Sequence, residues 1–128
     1  YFDPALATRL AYVHKQGLQL ASKMRFLSAQ FLALLDGDLW QQIGAHANAM
    51  ARRLHDAVKD IPGVTISRPT QASAVFARVP VERLEALQRL ARFAVWDEPI
   101  GEVRWMASWD TTAEDVDRFA ARLRQALG

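Results

Sequence analysis

The spacing of apolar residues changes about half-way along the chain. In the first half they recur three and four apart. Trp40, Ile43, Ala47, Met50, Leu54, Val58 and Ile61 form one stripe along a helix, with Arg52, Arg53, Asp56 and Lys59 on the opposite side. Pro62-Gly63 stops that helix. Upstream, Asp3 can cap free N–H groups and Pro4 is tolerated at a first helical position, so a long helical stretch is predicted from Pro4 to about Met24, bent at Gly17. A second helix, near Arg25 to Leu35, is apolar almost all round through Phe26, Leu27, Ala29, Phe31, Leu32 and Leu35, which predicts burial between layers or subunits. Gly37 reads as its C-cap, and Asp38 with Gln41 as the start of the next helix.

Beyond Gly63 the pattern alternates strand and helix. Val64 to Ser67 and Ala74 to Val79 are strand candidates, the latter with Val75, Ala77 and Val79 on one face. Val81 to Arg92 is a helix with Leu84, Leu87 and Ala91 inward, followed by strand candidates at Phe93 to Trp96 and Val103 to Ser108. Thr111 and Glu114 have capping-box spacing before a last helix carrying Val116, Phe119, Ala120, Leu123 and Leu127 in register. The predicted fold is α+β in two layers: a helical N-terminal part, then a small, mainly antiparallel sheet covered by helices. Residues 1–128 are expected to make one domain, with residues 1–36 as leading helices and 37–128 as the sheet-and-helix part. There is no internal repeat, and Arg68 to Ser73 is a loop too short for a linker.

Composition narrows the function classes. The chain of 128 residues is 51% hydrophobic, which supports a buried core. Thirteen of the sixteen basic residues are Arg, interspersed with Asp and Glu to a net charge of only +2, so no single-sign stripe marks a nucleic-acid binder. The absence of cysteine excludes disulfides, zinc–thiolate sites and thiol nucleophiles. No apolar run reaches the length of a membrane span and no signal peptide is visible, so a cytoplasmic protein is expected. Tyr1-Phe2-Asp3-Pro4 reads like the interior of a longer protein.

The strand Glu102-Val103-Arg104-Trp105-Met106-Ala107-Ser108 carries the chemistry. Alternation puts Val103, Trp105 and Ala107 on one face and Arg104, Met106 and Ser108 on the other. With Val103 and Trp105 in the core, Arg104 faces a cleft or solvent, and a guanidinium fork on a rigid strand suits bidentate carboxylate binding. An exposed strand arginine is also commonly a solvated charge. Other constellations fail: His14, His46 and His55 lack metal-ligand spacing, the carboxylates sit at turns and caps, and no Gly-rich phosphate loop occurs.

Three motifs, SKMRFLSAQ at Ser22–Gln30, HANAMA at His46–Ala51 and EVRWMASWDTTAEDV at Glu102–Val116, resemble the C-terminal part of pyridoxal-phosphate-dependent, fold-type I threonine aldolases of the low-specificity and phenylserine type. The resemblance covers essentially the whole chain. It departs from the family at Met106-Ala107, where many members carry Val-Thr. It implies the C-terminal small domain of a lyase that cleaves the Cα–Cβ bond of β-hydroxy-α-amino acids to glycine and an aldehyde. On it, Arg104 holds the substrate α-carboxylate, Arg25 approaches the pyridoxal 5'-phosphate phosphate, and Lys15 matches a family lysine of similar role. His46 and Asn48 read as structural, able to hydrogen-bond a neighbour, while Trp96 and Trp109 border the site. The lysine that holds the cofactor is none of Lys15, Lys23 and Lys59, so this chain alone is expected to be inactive, with the cofactor bound mainly by an upstream domain. The family's assemblies are commonly tetramers, so a homo-oligomer is expected. Another pyridoxal-phosphate enzyme, such as a β-eliminating lyase, is a near relative of this reading.

Two other classes stay open on the sequence. A β-β-α-β-β-α tail with helices can serve as a non-enzymatic ligand- or protein-binding module. A nucleic-acid role would need Arg52, Arg53, Arg83, Arg89, Arg118, Arg122 and Arg124 to converge on one face.

Overall fold

A computed structural model describes residues 4–17 and 21–128. The chain divides into two units, Tyr1–Trp40 and Gln41–Gly128.

In the first unit the described residues form helices α1 (Pro4–Gln16) and α2 (Met24–Leu35). The helix expected from Pro4 to Met24 therefore ends early, at Gln16, and Met24 opens the second expected helix. Gly17 ends α1 in a turn, its N–H donating to the Val13 carbonyl at 2.8 Å. Lys23, immediately before α2, takes a left-handed φ of 63° that no helix interior holds. Asp3, the expected cap, lies outside the described residues. The chain leaves α2 through a single 3-10 turn, Asp36–Asp38, with Gly37 at φ 70° as its glycine signal implied. Asp38 also turns left-handed, at φ 61°, instead of taking the extended backbone of an N-cap. No residue of α2 is buried, and Phe26, Phe31, Leu32 and Leu35 are all exposed.

Helix α3 (Leu39–Val58) leads into the second unit, where Ala47, Ala51, Leu54 and Val58 make its buried edge. The expected stripe is present in its later turns, while Trp40 at its start is exposed. A four-stranded sheet follows: β1 (Thr65–Ile66), β2 (Ala74–Arg78), β3 (Ala94–Asp97) and β4 (Glu102–Met106), in spatial order β1-β2-β4-β3 with every neighbouring pair antiparallel. Helix α4 (Leu84–Leu90) connects β2 to β3, entered through a 3-10 turn at Val81–Arg83, and α5 (Ala113–Leu127) closes the chain.

The core lies on one face of the sheet. Val75 and Ala77 of β2 and Val103 and Trp105 of β4 are buried there with Leu84 and Leu87 of α4, Leu54 and Val58 of α3, and Val116, Ala120 and Leu123 of α5. Trp105 is held edge-on by Phe93 and Phe119, with ring centroids 6.3 and 5.4 Å away. Alternation thus leaves Phe76 of β2 and Arg104 of β4, directly opposite each other in register, on the other face. Helix α5 starts one residue later than its expected cap. Thr112 is the N-cap, its Oγ1 accepting from the Asp115 N–H at 3.1 Å while Asp115 Oδ2 accepts from the Thr112 N–H at 3.1 Å. Thr111 instead braces the preceding turn, its Oγ1 accepting from the Ser108 N–H at 2.8 Å. No helix among the described residues is long and apolar enough to cross a membrane.

Candidate functional site

Arg104 sits on β4, a strand hydrogen-bonded on both sides, opposite Phe76 of β2 and Ala94 of β3. Its side chain is half-buried. Its Nε is fully covered and has no hydrogen-bond acceptor. Its guanidinium carbon lies 4.9 Å from the centroid of the Trp96 ring, within cation–π range. Trp96 meets Phe76 edge-on, with centroids 5.3 Å apart. A second guanidinium, that of Arg68, covers the same pair, 4.4 Å from the Phe76 ring centroid and 5.8 Å from that of Trp96.

The two arginines differ in their partners. Arg68 Nη2 donates to Glu102 Oε2 at 2.6 Å. Glu102 is 4% exposed, and the nearby Ser67 hydroxyl, then the Arg68 guanidinium bonded to it, hold its carboxyl below the usual carboxylate range against the cost of its burial. Arg104 has no carboxylate partner among the described residues. Three other arginines are paired as Arg68 is. Arg53 pairs with Asp117 through two bonds at 3.0 and 2.7 Å, Arg89 with Glu85, and Arg118 with Asp115. A half-covered guanidinium without a carboxylate partner keeps its outer N–H groups for an acceptor, which a carboxylate of a bound molecule can supply.

A cavity of about 290 Å³ opens beside this position, between the end of β4, the residues leading into β3 and the start of α5. Phe93, Trp105 and Phe119 give it apolar walls, and Arg92, Arg104, Thr111 and Asp115 are its polar residues. Trp105 Nε1–H, buried without an acceptor, borders it too. The turn at its rim is pinned from α3 by His46, whose Nε2 lies 2.8 Å from the Thr111 carbonyl oxygen. His46 is thus structural, and His55 likewise bonds Thr70 through Nδ1 at 2.9 Å. Among the described residues no group of three or more His, Asp or Glu could hold a metal ion.

Lys15, in the last turn of α1, and Arg25, in the first turn of α2, belong to the first unit, and both are exposed. Lys23, at the cap of α2, has no side-chain acceptor to offer; its carbonyl accepts from the Phe26 N–H at 3.1 Å, and no side chain caps the other leading N–H groups beside Arg25. Trp109, expected at the site's border, is exposed. Of the seven arginines a nucleic-acid face would need, Arg53, Arg89 and Arg118 are tied to carboxylates and Arg124 to the Ala57 carbonyl. Arg68, Glu102 and Phe76 were not singled out from the sequence. Arg68 and Glu102 are 34 positions apart, and no local pattern announces the pair.

No family model matches the chain. It is 41% identical over 131 residues to a low-specificity L-threonine aldolase of Pseudomonas aeruginosa, covering 100% of this chain and 37% of that protein. It is 41% identical over 128 residues to the low-specificity L-threonine aldolase of a Pseudomonas species, again spanning 37% of its length. Its fold matches a threonine aldolase of Leishmania major with a TM-score of 0.80 at 23% identity, over 92% of this chain and 35% of that one. The chain therefore spans a little over a third of the length of these relatives. It is homologous to the C-terminal portion of low-specificity L-threonine aldolases.

Proposed function

We propose that this chain is the substrate-clamping part of a pyridoxal-phosphate-dependent lyase that cleaves β-hydroxy-α-amino acids to glycine and an aldehyde. The carrying observation is Arg104: half-buried, with no carboxylate partner among the described residues and a buried Nε–H lacking an acceptor, while Arg53, Arg68, Arg89 and Arg118 are all paired. An α-carboxylate supplies acceptors for the outer N–H groups of Arg104 in bidentate form. Held on a strand bonded on both sides, the guanidinium fixes the amino acid about its carboxylate, and so fixes which Cα bond is presented for cleavage.

The start of α2 fits a phosphate dianion. Its leading N–H groups have no side-chain cap, and Arg25 adds a cation there. Arg25 is assigned to the cofactor phosphate, with Lys15 as a second cation toward it. When bound, pyridoxal 5'-phosphate supplies the electron sink for the pair released from the breaking bond. The lysine that holds it is assigned to the part of the relatives' length that this chain does not span. Lys59 is engaged with Asp56 at 2.9 Å. The exposed apolar surface of α2 is assigned to a subunit interface in a homo-oligomer.

The test is kinetic, in the intact enzyme. Arg104→Ala is expected to raise the barrier measured as kcat/KM for threonine by roughly 2–5 kcal/mol, the loss from truncating one partner of a desolvated charge pair. Kinetics within twofold of the wild type would overturn the assignment.

A further inference from the structure

We infer that Trp96 is a positioning residue for the carboxylate-binding arginine: its indole, on the same face of the sheet, fixes the Arg104 guanidinium so that its outer nitrogens meet the substrate carboxylate. The inference rests on the carboxylate reading of Arg104 given above.

A bulge is visible in the register. Val95 of β3 pairs with Val103 of β4, and Asp97 pairs with Glu102, although Val103 and Glu102 are consecutive. Trp96 is the extra residue, without a partner in the ladder. In an unbroken ladder it would stand opposite Glu102, which is already claimed by Arg68. Two residues beyond Ala94, Trp96 is on the Arg104 face as its diagonal neighbour, and its indole lies beside Arg104, 4.9 Å from ring centroid to guanidinium carbon.

Three further features make Trp96 a fixed platform. It is 49% exposed, too open for an ordinary core residue, yet Phe76 abuts it edge-on at 5.3 Å. Arg68 stands over both rings, and Arg68 is itself anchored by buried Glu102. Ala94, opposite Arg104 in register, is small and leaves the diagonal neighbour free to reach across. A long, flexible arginine loses rotamer freedom when it binds a carboxylate. An indole holding it by a contact that consumes none of its N–H donors removes part of that loss beforehand and leaves the donors for the ligand. Acidic anchoring, as on Arg68, would occupy those donors.

The experiment compares Trp96→Leu, Trp96→Phe and Arg104→Ala in the intact holoenzyme, using threonine and its carboxamide, which lacks the anionic carboxylate. Trp96→Leu is expected to lower kcat/KM for threonine about tenfold, mainly through KM, with little change for the carboxamide. Trp96→Phe retains most of the preference, because a ring remains. Proton–nitrogen NMR of the arginine side chains is the second readout. The Arg104 Nε–H signal, identified by its loss in Arg104→Ala, moves when the ring is removed in Trp96→Leu. Melting temperatures show that each variant is folded.

An equal loss on threonine and carboxamide in Trp96→Leu would mean a general structural role and overturn the inference. So would a wild-type preference in Trp96→Leu alongside a lost preference in Arg104→Ala, with the carboxylate reading left standing. A preference that survives Arg104→Ala overturns the carboxylate reading itself. The NMR signal then decides alone whether Trp96 fixes Arg104, and an unmoved signal refutes it.

Discussion

Replacing Gly101 with alanine tests how tightly the start of β4 is held. Gly101 lies just before the strand that carries Arg104, with φ 65°. A Cβ built there falls 2.1 Å from the Val79 carbonyl oxygen, a separation about 1 Å shorter than ordinary contact permits. The neighbour is backbone, so no side chain can swing aside. Relief requires the chain at Gly101 to move away from Val79, which breaks the hydrogen bond from the Val79 N–H to the Gly101 carbonyl, now 3.0 Å. Both residues are buried, so the separated groups are poorly served by water. The left-handed backbone costs an alanine about 1–2 kcal/mol. Losing a buried backbone bond costs roughly 1–3 kcal/mol more. The lower chain entropy of unfolded alanine returns about 0.4–1 kcal/mol.

The net expectation is a loss of about 2–4 kcal/mol, or a fall of roughly 10 °C in Tm for a chain of this size. Urea unfolding followed by tryptophan fluorescence, with thermal melting by circular dichroism, measures it. Gly44→Ala is the internal control. Gly44 lies inside α3 with nothing within 4 Å of the added carbon. It should gain about 0.5–1 kcal/mol from helix propensity. A Gly101→Ala protein within 0.5 kcal/mol of the wild type, roughly the size of an ordinary surface change, would refute the clash argument.

Two more outcomes follow from the same geometry. The Glu102 carboxyl is held below its ordinary range by Ser67 and then Arg68, so its contribution is present above the ordinary glutamate value and is lost as pH falls through the lower folded value. Glu102→Gln should be less stable than the wild type at neutral pH by about 1–3 kcal/mol, under the cost of a fully buried pair because Arg68 is half exposed. Urea midpoints should converge as the acid limit is approached, and a gap that widens toward acid would contradict the sign. Phe31 is 65% exposed on α2, so Phe31→Lys should leave the melting of the second unit's core unchanged while shifting sedimentation toward smaller species. An unaltered assembly would remove α2 from the interface.

Periodicity made the second unit legible. The stripe of α3, the alternation of Val75, Ala77 and Val79, and the register of Val116, Ala120 and Leu123 each repeat often enough to outweigh local noise, and apart from the early turns of α3, where Trp40 is exposed, they reach the core as expected. Arg104 was placed on the non-core face by the same alternation. Single-residue decisions were less legible. Thr111/Glu114 and Thr112/Asp115 have identical spacing, and the choice fell to the turn in which Ser108 claims the Thr111 hydroxyl. Gly17 and Lys23 break a helix that carries no internal proline, and Lys23 in a left-handed conformation is not a signal sequence can supply. The Trp96 stack depends on how β3 pairs with β4, and the Glu102–Arg68 pair on a chain reversal. Both are products of tertiary register.

The strand order β1-β2-β4-β3 has a consequence for motion. β4 is interior, and the edges are the two-residue β1 and the bulged four-residue β3. Edge segments this short open first, and their amides should exchange with solvent long before those of Val103 to Trp105. Arg104 is therefore mounted where local opening reaches last. Fluctuation at the rim can admit or release a ligand while the guanidinium keeps its place, and its placement should persist on warming until the unit unfolds as a whole.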